Sequence, residues 1–289
     1  MARSLLRLLL AFIALSIAAT AHAQSTDGPL VLGVFPRRNA SETTQLFTPL
    51  AEHLGEKLGR QVQLITLKDF ESFWRGVTER RYDVVHYNQY HYIRSANAYQ
   101  VIAHIEEASK STIAGAIYVR KDSGIKELAQ LRGRKVLFGG GEDAMISYIA
   151  NLYLIQQAGL KKGDFNSVFA INPPNSILGV YHRQADAAGA GDGVLDLPVV
   201  KNSINTDELI ALAVSEPLLQ LPIAVKRSMP AKLRAQIQSI LVGLKDSAEG
   251  RQVLKSAVLT GIVKAEDKDY EAHRKMVRAV LGPEALQQR

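Results

Sequence analysis

Cysteine is absent from all 289 residues, which excludes disulfides, thiolate nucleophiles and thiolate metal sites together. Stability must come from burial. Three catalytic signatures are missing as well: the Gly-x-Ser-x-Gly elbow, the His-Glu-x-x-His helix, and the Gly-x-x-x-x-Gly-Lys-Ser/Thr phosphate loop. Tryptophan occurs once, and no stripe of Lys and Arg interleaved with aromatics appears, so nucleic acid is not an expected partner. Beyond residue 23 no run approaches the roughly 18 to 20 apolar residues that a membrane-spanning helix needs. What is present is an ordinary globular balance, 47% hydrophobic and 22% charged, with a formal net charge of +7.

The first 23 residues are of another kind. Arg3 and Arg7 precede an apolar run from Leu8 to Ala19, and Ala21-His22-Ala23 supplies the small-x-small cleavage pattern. We read residues 1–23 as a secretory signal peptide, with the mature chain starting at Gln24 and no cysteine there to carry a lipid.

From Pro29 short β-branched runs alternate with amphipathic segments, the pattern of an α/β fold with mostly parallel sheets. Leu30–Phe35, Val62–Leu67, Tyr82–Val85, Val101–Ile105 and Ile113–Val119 read as strands. Between them a helix opened by Ser41 carries Phe47, Leu50, Ala51, Leu54 and Leu58, and one capped by Asp69 carries Phe70, Phe73, Trp74 and Val77. After Gly124 the scheme restarts with a helix at Ile125–Leu131, a strand at Val136–Phe138, a helix from Ala144 to Ala158 that is apolar on every side, a strand at Phe169–Ile171 and another at Ala185–Ala190. Two α/β lobes joined by two crossings is the economical arrangement: residues 24–117 plus 218–289 in one, 118–217 in the other, with a cleft between them.

Ligands of open α/β sheets sit beyond the carboxyl ends of the strands. That rule selects Arg37 and Arg38, Phe70, the run His86–His91, the turn Gly139-Gly140-Gly141 leading to Ser147, Asn172–Ser176, and Asp192. The triple glycine suits either close approach to an anion or close helix packing. His86, His91 and Asp192 offer nitrogen and oxygen ligands for a metal, although a spacing of five gives the histidines no shared helical face. Glu142 and Asp143 read as acids complementing a helix dipole. No cofactor is expected.

Several stretches taken in order carry a resemblance: Gly33-Val34-Phe35, Thr48-Pro49-Leu50, Leu58-Gly59, Lys68-Asp69-Phe70, Tyr82–Val85, Val119–Gly124, Leu131–Val136 and Gln184–Ala187. The mature chain resembles the periplasmic phosphate/phosphonate-type solute-binding proteins of ABC transporters, a family with the two-lobed type II binding fold. The resemblance implies non-catalytic capture of a small, at least partly anionic solute by a monomer. Its expected contacts are Arg37 or Arg38, Tyr87, Asn88, Gly140, Ser147, Asn175 and Asp192, with Phe70, Tyr90 and Met145 as walls. It implies a membrane permease as partner; a membrane sensor is the alternative, and a secreted metal-dependent hydrolase using His86, His91 and Asp192 a third. Where phosphonate-binding members carry a Ser-Thr-Ser run, this chain has Met145, Ile146 and Ser147. Phe70 replaces a tyrosine, Ile113 an aromatic and Pro173 a histidine, so weak binding of alkylphosphonates is expected.

Overall fold

The computed structural model describes residues 28–36 and 38–287. The leader expected over residues 1–23, and Arg37, lie outside them. In chain order the strands are β1 (Leu30–Val34), β2 (Val62–Ile65), β3 (Val84–His86), β4 (Tyr99–Glu106), β5 (Thr112–Ile113), β6 (Gly115–Arg120) and β7 (Lys135–Gly139). They continue as β8 (Asn166–Ala170), β9 (Ala187–Gly191), β10 (Leu209–Val214), β11 (Leu218–Leu219), β12 (Pro222–Lys226) and β13 (Gly261–Lys264).

Two sheets result. Lobe one is built on the order β13-β4-β12-β3-β1-β2, and lobe two on β10-β6-β9-β7-β8. The chain crosses between them twice, and the crossings pair with each other as the antiparallel ribbon β5-β11, Leu218 opposite Ile113. The sheets are mixed, not mostly parallel as the alternation suggested. Only β2-β1-β3 and β8-β7-β9 run parallel. The returning strand β12 inserts antiparallel between β3 and β4, and β6 runs antiparallel to both β9 and β10. These strands meet partners distant in sequence and need no crossover helix, so the local pattern that announces a parallel unit does not announce them.

Local chemistry sets the helix ends. Helix α1 (Ala40–Leu58) is capped by Asn39, whose side chain accepts from Glu42 N at 2.8 Å, and it ends at Gly59 with φ of 60°. The cap lies two residues before the expected Ser41, because Asn39 satisfies a free first-turn amide while Ser41 sits inside the helix. Asn39→Ala is therefore expected to cost about 1 kcal/mol in urea unfolding, and Ser41→Ala close to nothing. Helix α2 (Phe70–Thr78) starts where Asp69 accepts from Ser72 N at 2.7 Å, as its sequence indicates. Next come α3 (Gln89–Ser95), α4 (Asn151–Gln157), α5 (Pro173–Tyr181), α6 (Pro198–Lys201), α7 (Ala231–Val242), α8 (Ala248–Ser256) and α9 (Glu271–Leu281).

Two expected helices are altered. Residues 125–131 contain only a 3₁₀ turn, Leu128–Leu131. The apolar helix from Ala144 opens as a π turn, Met145–Ala150, before α4. Asn151 accompanies that widening, its Nδ2 donating to the carbonyls of Ile146, Ser147 and Ala190 at 3.0 to 3.2 Å. One buried cluster runs from Leu32 and Val85 of lobe one to Phe138, Tyr148 and Ile149 of lobe two. A second fills the other face of the lobe-two sheet, around Tyr118, Ile177 and Val180. Helix α9 packs against α3 on one side and α4 on the other. Among the described residues no helix is long and apolar enough to cross a membrane.

Candidate ligand-binding site

Strand β3 delivers Tyr87 and Asn88 to the start of α3. The Asn88 side-chain oxygen accepts from Tyr90 N at 2.7 Å and His91 N at 3.3 Å, which makes it the helix cap. Its amide nitrogen is left facing lobe two, where it donates to the main-chain oxygen of Asp143 at 2.8 Å. The start of α3 and the turn after β7 thus meet where the two lobes face each other.

Above that contact lies a stack. The His91 ring is parallel to Trp74, 5.0 Å between centroids at 22°, and 5.8 Å from Phe70. Arg94, three residues on and therefore on the same helix face, sets its guanidinium 4.4 Å over Trp74 and 5.2 Å over Tyr90. Both basic groups turn toward Asp143: His91 Nε2 is 3.5 Å and Arg94 Nη1 3.9 Å from its carboxylate. The side chain of His91 is 0% exposed and that of Arg94 13%, against 48% for Asp143. His91 Nδ1 and Arg94 Nε are buried without a hydrogen-bond partner. The His91 imidazole holds the Asp143 carboxyl below its ordinary range, with burial opposing and the charge of Arg94 assisting, so Asp143 is an anion at neutral pH. A guanidinium with spare donors and little water is suited to an oxyanion, since its five N–H groups form a planar fork.

Three expected site residues belong to this group: Asn88, Tyr90, and the exposed Phe70, which stands edge-on to Phe35 at 5.8 Å. Others lie elsewhere. Arg38 pairs with Glu42 at 3.0 Å and lines a small depression with Phe47, His86 and Leu259. Tyr87 does not join this group: it is fully buried, its hydroxyl 2.9 Å from Ser95 Oγ, among Tyr92 and Tyr99. Gly140, at φ of 95°, commits its amide to Ala170 O at 2.8 Å, and Ser147 donates its hydroxyl to Gly139 O. Neither donor is left for a ligand. Met145 is buried in the shared core, and Asn175 is exposed on the first turn of α5. Asp192 accepts from Ala114 N at 3.1 Å, so it braces a crossing strand. The metal alternative loses its geometry in the same way. His86 packs against Phe35 and Phe47, with Nδ1 3.2 Å from Pro222 O, while His91 faces Asp143. No group of three candidate metal ligands assembles among the described residues.

Trp74, Arg94 and Asp143 complete this group and were not among the site residues expected from the sequence. Arg94 is the one Lys or Arg in residues 89–95, one turn from Tyr90 and His91, and that spacing was the available signal.

Two α/β lobes joined by two crossings define a periplasmic-binding-protein fold. Solved structures agree with it. A Xanthomonas citri protein bound to ATP superposes with a TM-score of 0.77 at 14% identity, covering 88% of this chain and 97% of that one. The PhnD1 protein of Prochlorococcus marinus in complex with methylphosphonate gives a TM-score of 0.75 at 17% identity, covering 88% and 98%. The Escherichia coli (strain K12) phosphonates-binding periplasmic protein is 21% identical over 248 residues, 83% of this chain and 73% of the relative. Residues 32–270 match the family described as ABC transporter, phosphonate, periplasmic substrate-binding protein, and the chain belongs to that family.

Proposed function

We propose that this chain captures a small anionic solute between its lobes and presents it to the permease of an ABC importer, without catalysis. The observation that carries the reading is Arg94: a guanidinium 13% exposed, supported on two aromatic faces, with a buried nitrogen lacking a partner, aimed at the opposing lobe. Such a group costs desolvation energy that an oxyanion can return through charge-assisted bonds. Arg94 and His91 also supply the donors that Met145 and Ile146 do not. The ligands named for the two structural neighbours, ATP and methylphosphonate, share an anionic phosphorus–oxygen group. Closure of the lobes over the solute excludes water and creates the surface a permease reads.

Thermal unfolding with methylphosphonate, inorganic phosphate and small carboxylates tests the reading. A ligand at 100 times its Kd adds roughly 2.7 kcal/mol, a readily visible rise in Tm. Arg94→Gln is expected to weaken the responding anion about 10- to 100-fold, an effect of about 1.4 kcal/mol per decade, in calorimetric titration. A panel with no anion that shifts Tm, or a responding solute that binds Arg94→Gln unchanged, would refute it.

A further inference from the structure

The lobe-two partner of Arg94 and His91 is itself an anion. The Asp143 carboxylate lies 3.5 Å from His91 Nε2 and 3.9 Å from Arg94 Nη1, while its main-chain oxygen accepts from Asn88. We propose that Asp143 is a specificity-determining residue, competing with an anionic solute for Arg94 and His91 and yielding them only to a solute that binds both more tightly. The proposal rests on the anionic-solute reading above.

The geometry says which partner yields. At 3.9 Å the Arg94 contact and at 3.5 Å the His91 contact are both close approaches without a hydrogen bond. His91 and Arg94 are already withdrawn from water and held by Trp74, so they cannot follow Asp143 outward. Asp143 is 48% exposed and sits in a turn next to Gly140 and Gly141, so its carboxylate exchanges protein for water at small cost. An oxyanion making short bonds to the guanidinium displaces it. A solute that binds without displacing it meets a like charge in a cleft of low dielectric, which disfavours it. Asp143 thus screens for strong, compact anions and against weak ones.

Trp74, the only tryptophan in the chain, lies under both basic groups and reports directly. Wild type, Asp143→Asn and Asp143→Asn/Arg94→Gln are titrated with methylphosphonate, inorganic phosphate and acetate by Trp74 fluorescence. Acrylamide quenching of Trp74 is measured without anion. We expect easier quenching in Asp143→Asn, anion binding at least tenfold tighter than in wild type with acetate gaining most, and loss of that gain in the double variant. Unchanged quenching would show that the cross-cleft contact does not hold in solution, and would overturn the proposal whatever the ligand. Changed quenching with equal or weaker anion binding in Asp143→Asn would overturn the competition while leaving the anionic reading intact. Changed quenching with no anion bound by either protein would refute the anionic reading and the competition with it.

Discussion

Gly139→Ala is expected to destabilise the protein by about 3 kcal/mol or more, the upper end of overpacking costs, whereas Gly141→Ala, two residues away, should stay within about 0.5 kcal/mol. Gly139 is the last residue of β7. A methyl group built on it would lie 2.3 Å from Pro173 Cα, 2.5 Å from Pro173 N and 2.9 Å from the Asn172 carbonyl carbon. Those atoms are backbone, so no rotamer change relieves the clash; α5 must move away from the strand it covers. The same residue accepts the Ser147 hydroxyl, and Gly140 beside it bonds to Ala170 O. The strain would therefore spread into the π turn and into the loop that presents Asp143. At Gly141 a methyl would meet nothing within 4 Å. Urea unfolding of the two variants side by side decides it: equal midpoints would mean that the contact between β7 and α5 is not as tight as the structure has it.

That contrast also resolves the triple glycine. Its sequence suited an anion loop or a packing turn equally; Gly139 is there for packing, and Gly140 spends its amide on the neighbouring strand. Asn88 and Phe70 were legible because each marks a helix start after a strand, and the rule that ligands gather there needs only local pattern. Arg94 was not, because α3 spans seven residues, Gln89–Ser95, too few for a periodic stripe to tell one face from another. Asp143 was read as complementing a helix dipole, and its real partners come from residues 52 and 49 positions earlier in the other lobe, beyond any local pattern. Tyr87 went the other way: a tyrosine at a strand end is amphipathic, and only the presence of Ser95, eight residues on at the end of α3, reveals that its hydroxyl is satisfied inside the core. The same limit hid the antiparallel insertion of β12, which no segment of the chain announces by itself.

Between pH 8 and pH 5 the wild type is expected to lose about 2 kcal/mol of stability that a His273→Gln variant keeps, as converted from the shift below at 1.36 kcal/mol per pH unit. His273 is on the first turn of α9 and 0% exposed. Its Nε2 donates to Leu219 O at 3.1 Å, its Nδ1 is buried without a partner, and its ring lies 4.9 Å from that of Tyr270. Burial pushes its pKa down from 6.5 to about 4, with the Leu219 bond opposing and the charge of Arg274 assisting. Above about pH 6.5 neither folded nor unfolded chain protonates this ring, so it contributes no pH dependence. As pH falls from there toward 4 the unfolded chain takes a proton that the folded chain refuses, and stability falls; below about 4 the loss levels off. Glutamine keeps a donor for Leu219 O but cannot titrate, so the two proteins should diverge through this window even if the variant starts less stable. Leu219 belongs to β11, one half of the ribbon on which the chain crosses between lobes, and its carbonyl also accepts from Gln89 of α3 at 3.2 Å. Acid therefore acts on the joint that ties α9 and α3 to the crossing. Parallel stability–pH slopes for wild type and His273→Gln in urea unfolding would place the acid sensitivity elsewhere, because every other titrating group is common to both proteins.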